Sequence, residues 1–175
     1  MSPRAGVRPK TLARRSSAGP SEESAMLVRH LMEQNVVTLN VSDHLDLAGA
    51  LMRLDRIRHL PIVDSSGTVV GIVSQRDLFR AGVSSLLEFS PQAEERWLAQ
   101  IRVSDVMTRE VATVHPDASV RTAVQVMLDR RVGCLPVVED GRLVGMLSER
   151  DCMHHLARLL ELAELRGLLP DAPRV

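Results

Sequence analysis

Apolar residues along the chain alternate between short continuous runs and helix-like periodic stretches, and the whole series occurs twice. In the first copy, apolar runs of strand length, rich in β-branched residues, cover 36–39, 60–63 and 69–73. One face of a helix between the first and second runs is formed by Leu45, Ala48, Leu51 and Met52. A further helix follows the third run, so the pattern predicts a β-α-β-β-α unit.

The second copy follows the first residue by residue. The aligned ranges are 28–64 with 103–139, and 67–79 with 141–153. Its first strand is expected at 111–114, and its helix face is formed by Val120, Ala123, Val126 and Met127, with Ser119 as the N-cap. Hairpin turns are expected at 64–67 and 139–141. The duplication predicts an α+β protein built from two β-α-β-β-α repeats.

The repeats predict how the chain is divided. The expected parts are a tail (1–24), a first repeat (25–80), a connecting helix and linker (81–102), a second repeat with an extended last helix (103–166), and a short tail (167–175). Prolines, glycines and arginines without nearby acids predict disorder in the first tail. Two alternatives stay open for it: a basic arm that contacts an acidic partner, and a transit peptide.

Composition narrows the classes of function. The net charge is zero and aromatic residues make up only 2% of the chain, so nucleic acid is not an expected partner. No membrane partner is expected either, because no apolar run approaches the ~20 residues of a membrane span. Cys134 and Cys152 offer neither a disulfide framework nor metal-ligand spacing, which fits a cytoplasmic protein.

Both repeats contain the same junction between a strand and a helix. Ser74 follows the apolar run 69–73 and Asp77 falls in the first turn of the next helix, and Ser148 and Asp151 repeat this arrangement. A hydroxyl, a carboxylate and free backbone N–H groups at a helix N-terminus can form an anion site. The same residues also form a capping box, which needs no ligand. Because duplication copies caps and sites alike, both interpretations stay open.

The order, spacing and duplication of these motifs resemble a pair of cystathionine-β-synthase (CBS) domains, also called a Bateman module, over about residues 25–160. The resemblance is carried by Val106-Met107-Thr108 before the strand 111–114, by the Leu-Pro strand starts, and by two Gly-x-x-Ser-x-x-Asp runs. It implies two repeats packed with pseudo-twofold symmetry around two clefts. Each cleft commonly takes an adenosyl ligand such as AMP, ADP, ATP, NAD(H) or S-adenosylmethionine, and no other cofactor is implied.

Carried over residue by residue, the resemblance implies two sets of ligand-binding residues. One cleft would be formed by Ser74, Arg76, Asp77, Thr113, Gly133 and Cys134. The other would be formed by Ser148, Arg150, Asp151, Thr38, Arg58 and His59. The second cleft is then expected to prefer more highly phosphorylated ligands, because Arg58 can bind phosphate bidentately and His59 adds charge when protonated.

Each of these assignments has a purely structural alternative. Arg76 and Arg150 are equally explained as solvated charges in the first turn of a helix, the two threonines as strand residues, and Cys134 as a buried, inert thiol. Arg58, which replaces a glycine, either crowds its cleft or contacts phosphate. No metal site is expected: Asp151 and His155 have helical ligand spacing, but a solvated or core helix explains them better.

The implied function is that of a freestanding regulatory module rather than an enzyme, because no motif positions a nucleophile. Ligand binding would shift the packing of the repeats, and a separate protein partner would read the shift. An excess of apolar surface on the last helix predicts a homodimer; the residues are Leu156, Leu159, Leu160 and Ala163. The alternatives are a ligand-free dimeric interaction scaffold and, less favoured, an enzyme that uses the cleft.

Overall fold

The computed structural model describes residues 25–83 and 91–168. The tail 1–24, part of the predicted connecting segment (84–90), and most of the tail 167–175 therefore lie outside the described residues. The elements in chain order are a 3₁₀ turn (Val28–His30), β1 (Leu39–Asn40), α1 (Leu45–Leu54), β2 (His59–Val63), β3 (Val69–Ser74), α2 (Gln75–Val83), α3 (Pro91–Leu98), α4 (Val103–Val106), α5 (Val120–Arg130), β4 (Cys134–Glu139), β5 (Arg142–Ser148) and α6 (Glu149–Leu165).

Each repeat contains a small sheet. In the first, β1 pairs parallel with β2, and β2 pairs antiparallel with β3. In the second, β4 pairs antiparallel with β5, and a single parallel bridge joins Val114 to Val137. The strands predicted at 36–39 and 111–114 were therefore too long. The backbone before each pairing bonds locally instead, since the N–H groups of Val36 and Val111 donate to carbonyls two residues back, at 3.0 and 3.1 Å.

Local signals at the ends of elements agree with the structure. Ser119 caps α5, with its Oγ accepting from the backbone N–H of Thr122 at 3.0 Å. Gly67 and Gly141 occupy the two predicted hairpin turns with a φ of 81° each, a conformation that glycine adopts without strain. The last helix ends at Leu165, one residue before the bound of 166 predicted for the second repeat.

The segment before each sheet packs on the other repeat. Residues 25–35, the first crossing segment, bring Val28 into the core of the second repeat, where it is fully buried. The backbone N–H of Val28 donates to the Ala118 carbonyl at 2.9 Å, and Glu33 forms an antiparallel bridge with Met146 on β5.

Residues 101–108, the second crossing segment, make the equivalent contacts in the opposite direction. Val103 is fully buried in the core of the first repeat, and its N–H donates to the Asp43 carbonyl at 2.8 Å. Thr108 pairs with Ile72 on β3. Because the two segments occupy corresponding positions in the aligned repeats, this exchange expresses the pseudo-twofold symmetry of the fold.

Buried side chains form one core in each repeat and a cluster that joins them. The joining cluster contains Val69, Val111 and Val138. It contributes with the crossing segments to holding the two sheets together, by removing apolar surface from water. None of the described helices is long and apolar enough to cross a membrane.

Candidate functional site

The junction at Ser74 is a closed hydrogen-bonded cap. The Ser74 hydroxyl and backbone N–H both donate to Oδ2 of Asp77, at 2.6 and 2.8 Å, and the Asp77 N–H faces the Ser74 Oγ at 3.4 Å. The other carboxylate oxygen of Asp77 lies 4.0 Å from a guanidinium nitrogen of Arg80. Capping therefore occupies one oxygen of this carboxylate and leaves Oδ1 beside a cation.

The junction at Ser148 has the same geometry. Ser148 donates twice to Oδ2 of Asp151, at 2.6 and 2.8 Å, and the Asp151 N–H faces the serine Oγ at 3.4 Å. Both junctions are thus capping boxes, which is the interpretation that requires no ligand. A binding site and a simple helix start share this cap geometry. The surroundings of the two junctions therefore decide between the two interpretations.

A cleft of about 770 Å³ lies between the two repeats, beside the first junction. Among the residues predicted from sequence, it is lined by Ser74, Arg76, Asp77, Gly133, Cys134, Arg58 and His59. The remaining candidates are absent from its lining; they are Thr38, Thr113, Ser148, Arg150 and Asp151. The structure therefore brings most of the first predicted set together with two members of the second.

Arg58 and His59 were expected opposite Ser148 and Asp151, but the structure places them beside Ser74. The reason is strand pairing within the repeat. The antiparallel register of β2 and β3 pairs His59 with Ser74, and the N–H of Gln75 donates to the Arg58 carbonyl at 2.9 Å. The wall that carries this arginine and histidine therefore belongs to the same cleft as Asp77.

Thr113 was assigned to the cleft beside Ser74, yet it is buried. Only 1% of the residue is exposed, and its Oγ1 has no hydrogen-bond partner. Its neighbours Val111 and Ala112 line the cleft instead. The predicted stretch of chain therefore borders the cleft, but through other side chains than Thr113.

Several lining residues were not among the ligand-binding residues predicted from the sequence. They are Phe79, Arg80, Thr108, Glu110, Arg131 and Glu149. Arg131 follows α5 in a left-handed conformation with a φ of 54°, and Arg56 holds the corresponding place after α1 with a φ of 53°. The one signal in the sequence was that arginine recurs at these two aligned positions; its left-handed conformation, uncommon for a non-glycine residue, is seen only in the structure.

The charged lining of the cleft is slightly positive. Its arginines are Arg58, Arg76, Arg80 and Arg131, and its carboxylates are Asp77, Glu110 and Glu149. Burial, followed by the nearby Arg58 guanidinium, lowers the pKa of His59 below its ordinary value, so the imidazole is neutral at pH 7. The condition under which His59 was expected to add charge, a protonated ring, is therefore disfavoured by its surroundings.

Cys134 is buried at the start of β4. Burial, together with the Glu149 carboxylate, raises the pKa of this thiol to about 12. The residue keeps its proton at neutral pH, which agrees with its alternative interpretation as an inert side chain.

One further cluster among the described residues has the composition of a metal site. His115, Asp117 and Glu139 offer ligand atoms that all lie within 4.8 Å of one another. The Arg29 guanidinium forms an ion pair with Asp117 and lies 3.9 Å from Glu139. Because this cation already interacts with two of the three side chains, the cluster is better explained as an ion-pair network that fixes the first crossing segment to the second repeat.

Comparison with known proteins gives consistent matches over both repeats. The family model for the CBS domain matches residues 28–84 and 103–158. A CBS domain-containing protein of Dictyostelium discoideum is 34% identical over 140 residues, which cover 78% of this chain and 94% of the relative. A homoserine O-acetyltransferase of Methanohalophilus mahii is 33% identical over 70% of this chain, but the match covers only 23% of that enzyme.

Solved structures show the same architecture. A candidate acetoin utilization protein (AcuB) from Vibrio cholerae superimposes with a TM-score of 0.66 and 34% identity, over 85% of this chain and 99% of that structure. The CBS domain pair of protein MJ0100, in complex with 5′-methylthioadenosine and S-adenosyl-L-methionine, gives a TM-score of 0.66 and 25% identity, over 77% and 98% of the two chains.

Proposed function

Because the chain belongs to the CBS domain family, as a tandem pair of CBS domains, we propose that it is a regulatory module that binds an adenosyl ligand between its repeats. The bound state is signalled to a partner protein through the relative packing of the repeats. The complex of the MJ0100 domain pair with two adenosyl compounds supports this class of ligand. The proposal takes the repeats as residues 25–80 and 103–166.

The observation that carries the proposal is a cleft with walls from both repeats. Ser74 and Asp77 come from the first repeat, and Gly133 and Cys134 come from the second. A volume of about 770 Å³ falls in the range of small-molecule sites. A ligand that contacts both walls has an affinity that depends on how the repeats pack, so its binding shifts the population of packing states.

The second crossing segment provides a physical route for the signal. Its last residue, Thr108, lines the cleft, and the chain continues into Glu110, Val111 and Ala112, which line it as well. The same segment is anchored in the first repeat through Val103. A ligand that displaces residues 110–112 therefore also acts on the crossing segment just before them. That segment leads into the second repeat along the chain but packs on the first repeat.

An enzymatic role for the cleft is less well supported. Ser74 donates its hydroxyl proton to the capping carboxylate, with no histidine acting as its base, and the pKa of Cys134 is raised to about 12. Neither side chain is an activated nucleophile. We accordingly propose that the module is non-catalytic. We further propose that it resides in the cytoplasm and acts as a homodimer.

Calorimetric titration of the full chain with AMP, ADP, ATP, NADH, S-adenosylmethionine and adenosine tests the proposal. We expect saturable binding of at least one compound, and a rise in stability of about 2.7 kcal/mol at a hundredfold excess over Kd. No binding heat and no change in Tm with any of them at millimolar concentration would favour the alternative, a ligand-free dimeric scaffold. Turnover of a bound compound would favour an enzyme.

A further inference from the structure

His59 lies where the two repeats meet at the cleft. It opens β2 of the first repeat, and its Cε1 atom is 3.6 Å from the position that a Cβ on Gly133 would occupy. Glu149 Oε2 lies 3.3 Å from that same position. At 3.6 Å a Cβ would be in ordinary van der Waals contact with the imidazole, so the ring of one repeat lies directly against the strand start of the other. Cys134 holds the corresponding position in the second repeat, so the imidazole has no duplicate.

Charged and titratable groups from several elements surround this imidazole. They are Arg58 directly before β2, Arg76, Asp77 and Arg80 on α2, Glu110 in the loop after α4, Arg131 after α5, Cys134 on β4 and Glu149 on α6. Burial and Arg58 lower the pKa of His59 more strongly than Asp77 and Glu149 raise it. Burial is the largest cause of the lowered pKa of His59, and neighbouring charges of both signs act on it as well, so a charged ligand in the cleft would act on the same group.

We propose that His59 determines the specificity of the cleft for phosphorylated ligands by taking up a proton as the phosphate binds. The inference rests on the proposed function and narrows its ligand class. A phosphate placed beside Arg58 and Arg76 compensates the cations that disfavour protonation, and a charged imidazole can then donate a hydrogen bond to a phosphate oxygen. A sulfonium ligand brings positive charge and has the opposite effect on the ring.

Proton uptake by His59 would make the affinity for phosphorylated ligands depend on pH, and this dependence can be measured. If His59 takes up a proton on binding, the affinity for a phosphorylated ligand rises as the pH falls, by at most about tenfold per pH unit. The affinity changes with pH in the range between the pKa of His59 in the free protein and its higher pKa in the complex. Adenosine lacks a phosphate, so its affinity stays independent of His59 protonation.

Calorimetry of ADP binding near pH 6.5, in two buffers of different ionisation enthalpy, counts the protons taken up per ligand. The terminal phosphate of ADP titrates in the same range, so the deciding quantity is the difference between wild type and His59→Gln. We expect this substitution to lower the uptake by up to one proton and to weaken ADP several-fold, with adenosine unaffected. His30→Gln, on the exposed 3₁₀ turn outside the cleft, is the matched control and should match wild type.

Equal proton uptake by wild type and His59→Gln would overturn the inference while leaving the proposed function standing. Failure of every adenine compound to bind the wild-type chain would overturn the proposed function, and the inference with it. If His59→Gln does not fold, the Cε1–H NMR signal of His59 in the wild-type chain decides the matter. Its titration midpoint should move to higher pH with ADP, and an unmoved midpoint would refute proton uptake.

Discussion

Met107 lies so close to Gly71 that a larger residue at position 71 fits only if the methionine side chain moves. A Cβ built on Gly71 would be 2.9 Å from Met107 Cγ. The corresponding pair is Met32 and Gly145, where a Cβ would be 2.7 Å from the methionine Sδ. The glycines that open both Gly-x-x-Ser-x-x-Asp runs therefore provide room for the crossing segments, independently of any ligand.

We expect Gly71→Ala to destabilise the fold by about 1–3 kcal/mol, the usual cost of overpacking. In an ordinary strand the same change would be favourable, because glycine loses more backbone entropy on folding. Denaturant unfolding of Gly71→Ala, Met107→Ala and the double variant measures the coupling between the two residues. Additive losses would show that the methionine is not the obstacle.

The sequence predicted the repeats, the helices and the caps because these features depend on residues that are close along the chain. It could not predict the crossing segments. Val28 and Val103 are apolar residues beside short polar stretches, and nothing in their pattern indicates which of two similar cores receives them. That choice depends on chain connectivity and on the three-dimensional fit of Met32 and Met107.

The site was predicted in part for the same reason. The Ser74 to Asp77 junction is local, and its cap was foreseen. The placement of Arg58 and His59 depends on the register of β2 against β3, and the exposure of Thr113 depends on how the two sheets pack. Periodicity determines neither, because both result from contacts between segments that are distant in sequence.

Thr113→Val should stabilise the protein. The substitution keeps the shape of the side chain and removes a buried hydroxyl that has no hydrogen-bond partner, which is worth about 1–3 kcal/mol. Chemical denaturation provides the measurement. Thr122→Val is the matched control, because the Thr122 hydroxyl lies 2.8 Å from Ser119 Oγ, and its loss should not stabilise the fold. If Thr113→Val instead lowered the affinity for ADP, Thr113 would contact the ligand, as predicted from the sequence.

Asp77→Ala and Asp151→Ala should separate capping from ligand binding. Both remove the same set of hydrogen bonds, so each should cost about 0.5–2 kcal/mol of stability. Only Asp77 lines the cleft, so ADP affinity should fall much further in Asp77→Ala than in Asp151→Ala. Thermal unfolding and calorimetry on the same samples make the comparison. Equal losses of affinity would mean that the second junction also forms a site.

The last helix exposes leucines that a monomer would leave in water. Leu156, Leu159, Leu160 and Leu162 are each 45–50% exposed. The first, second and third of these, with Ala163, share one face at the spacing of neighbouring turns. An uncovered apolar stripe of this kind marks an association surface or an aggregation risk.

If a second copy of the chain covers this stripe, the wild type should sediment as a dimer at about 50 µM, and the double variant Leu156→Lys/Leu160→Lys should sediment as a monomer. The introduced charges would have to be buried without partners in the dimer, while in the monomer they face water. Leu128→Lys is the matched control, because Leu128 is an exposed leucine of α5 rather than of the α6 stripe, with 66% of it exposed; this variant should remain dimeric. A wild-type monomer at this concentration, or a monomeric Leu128→Lys variant, would contradict dimerisation through α6.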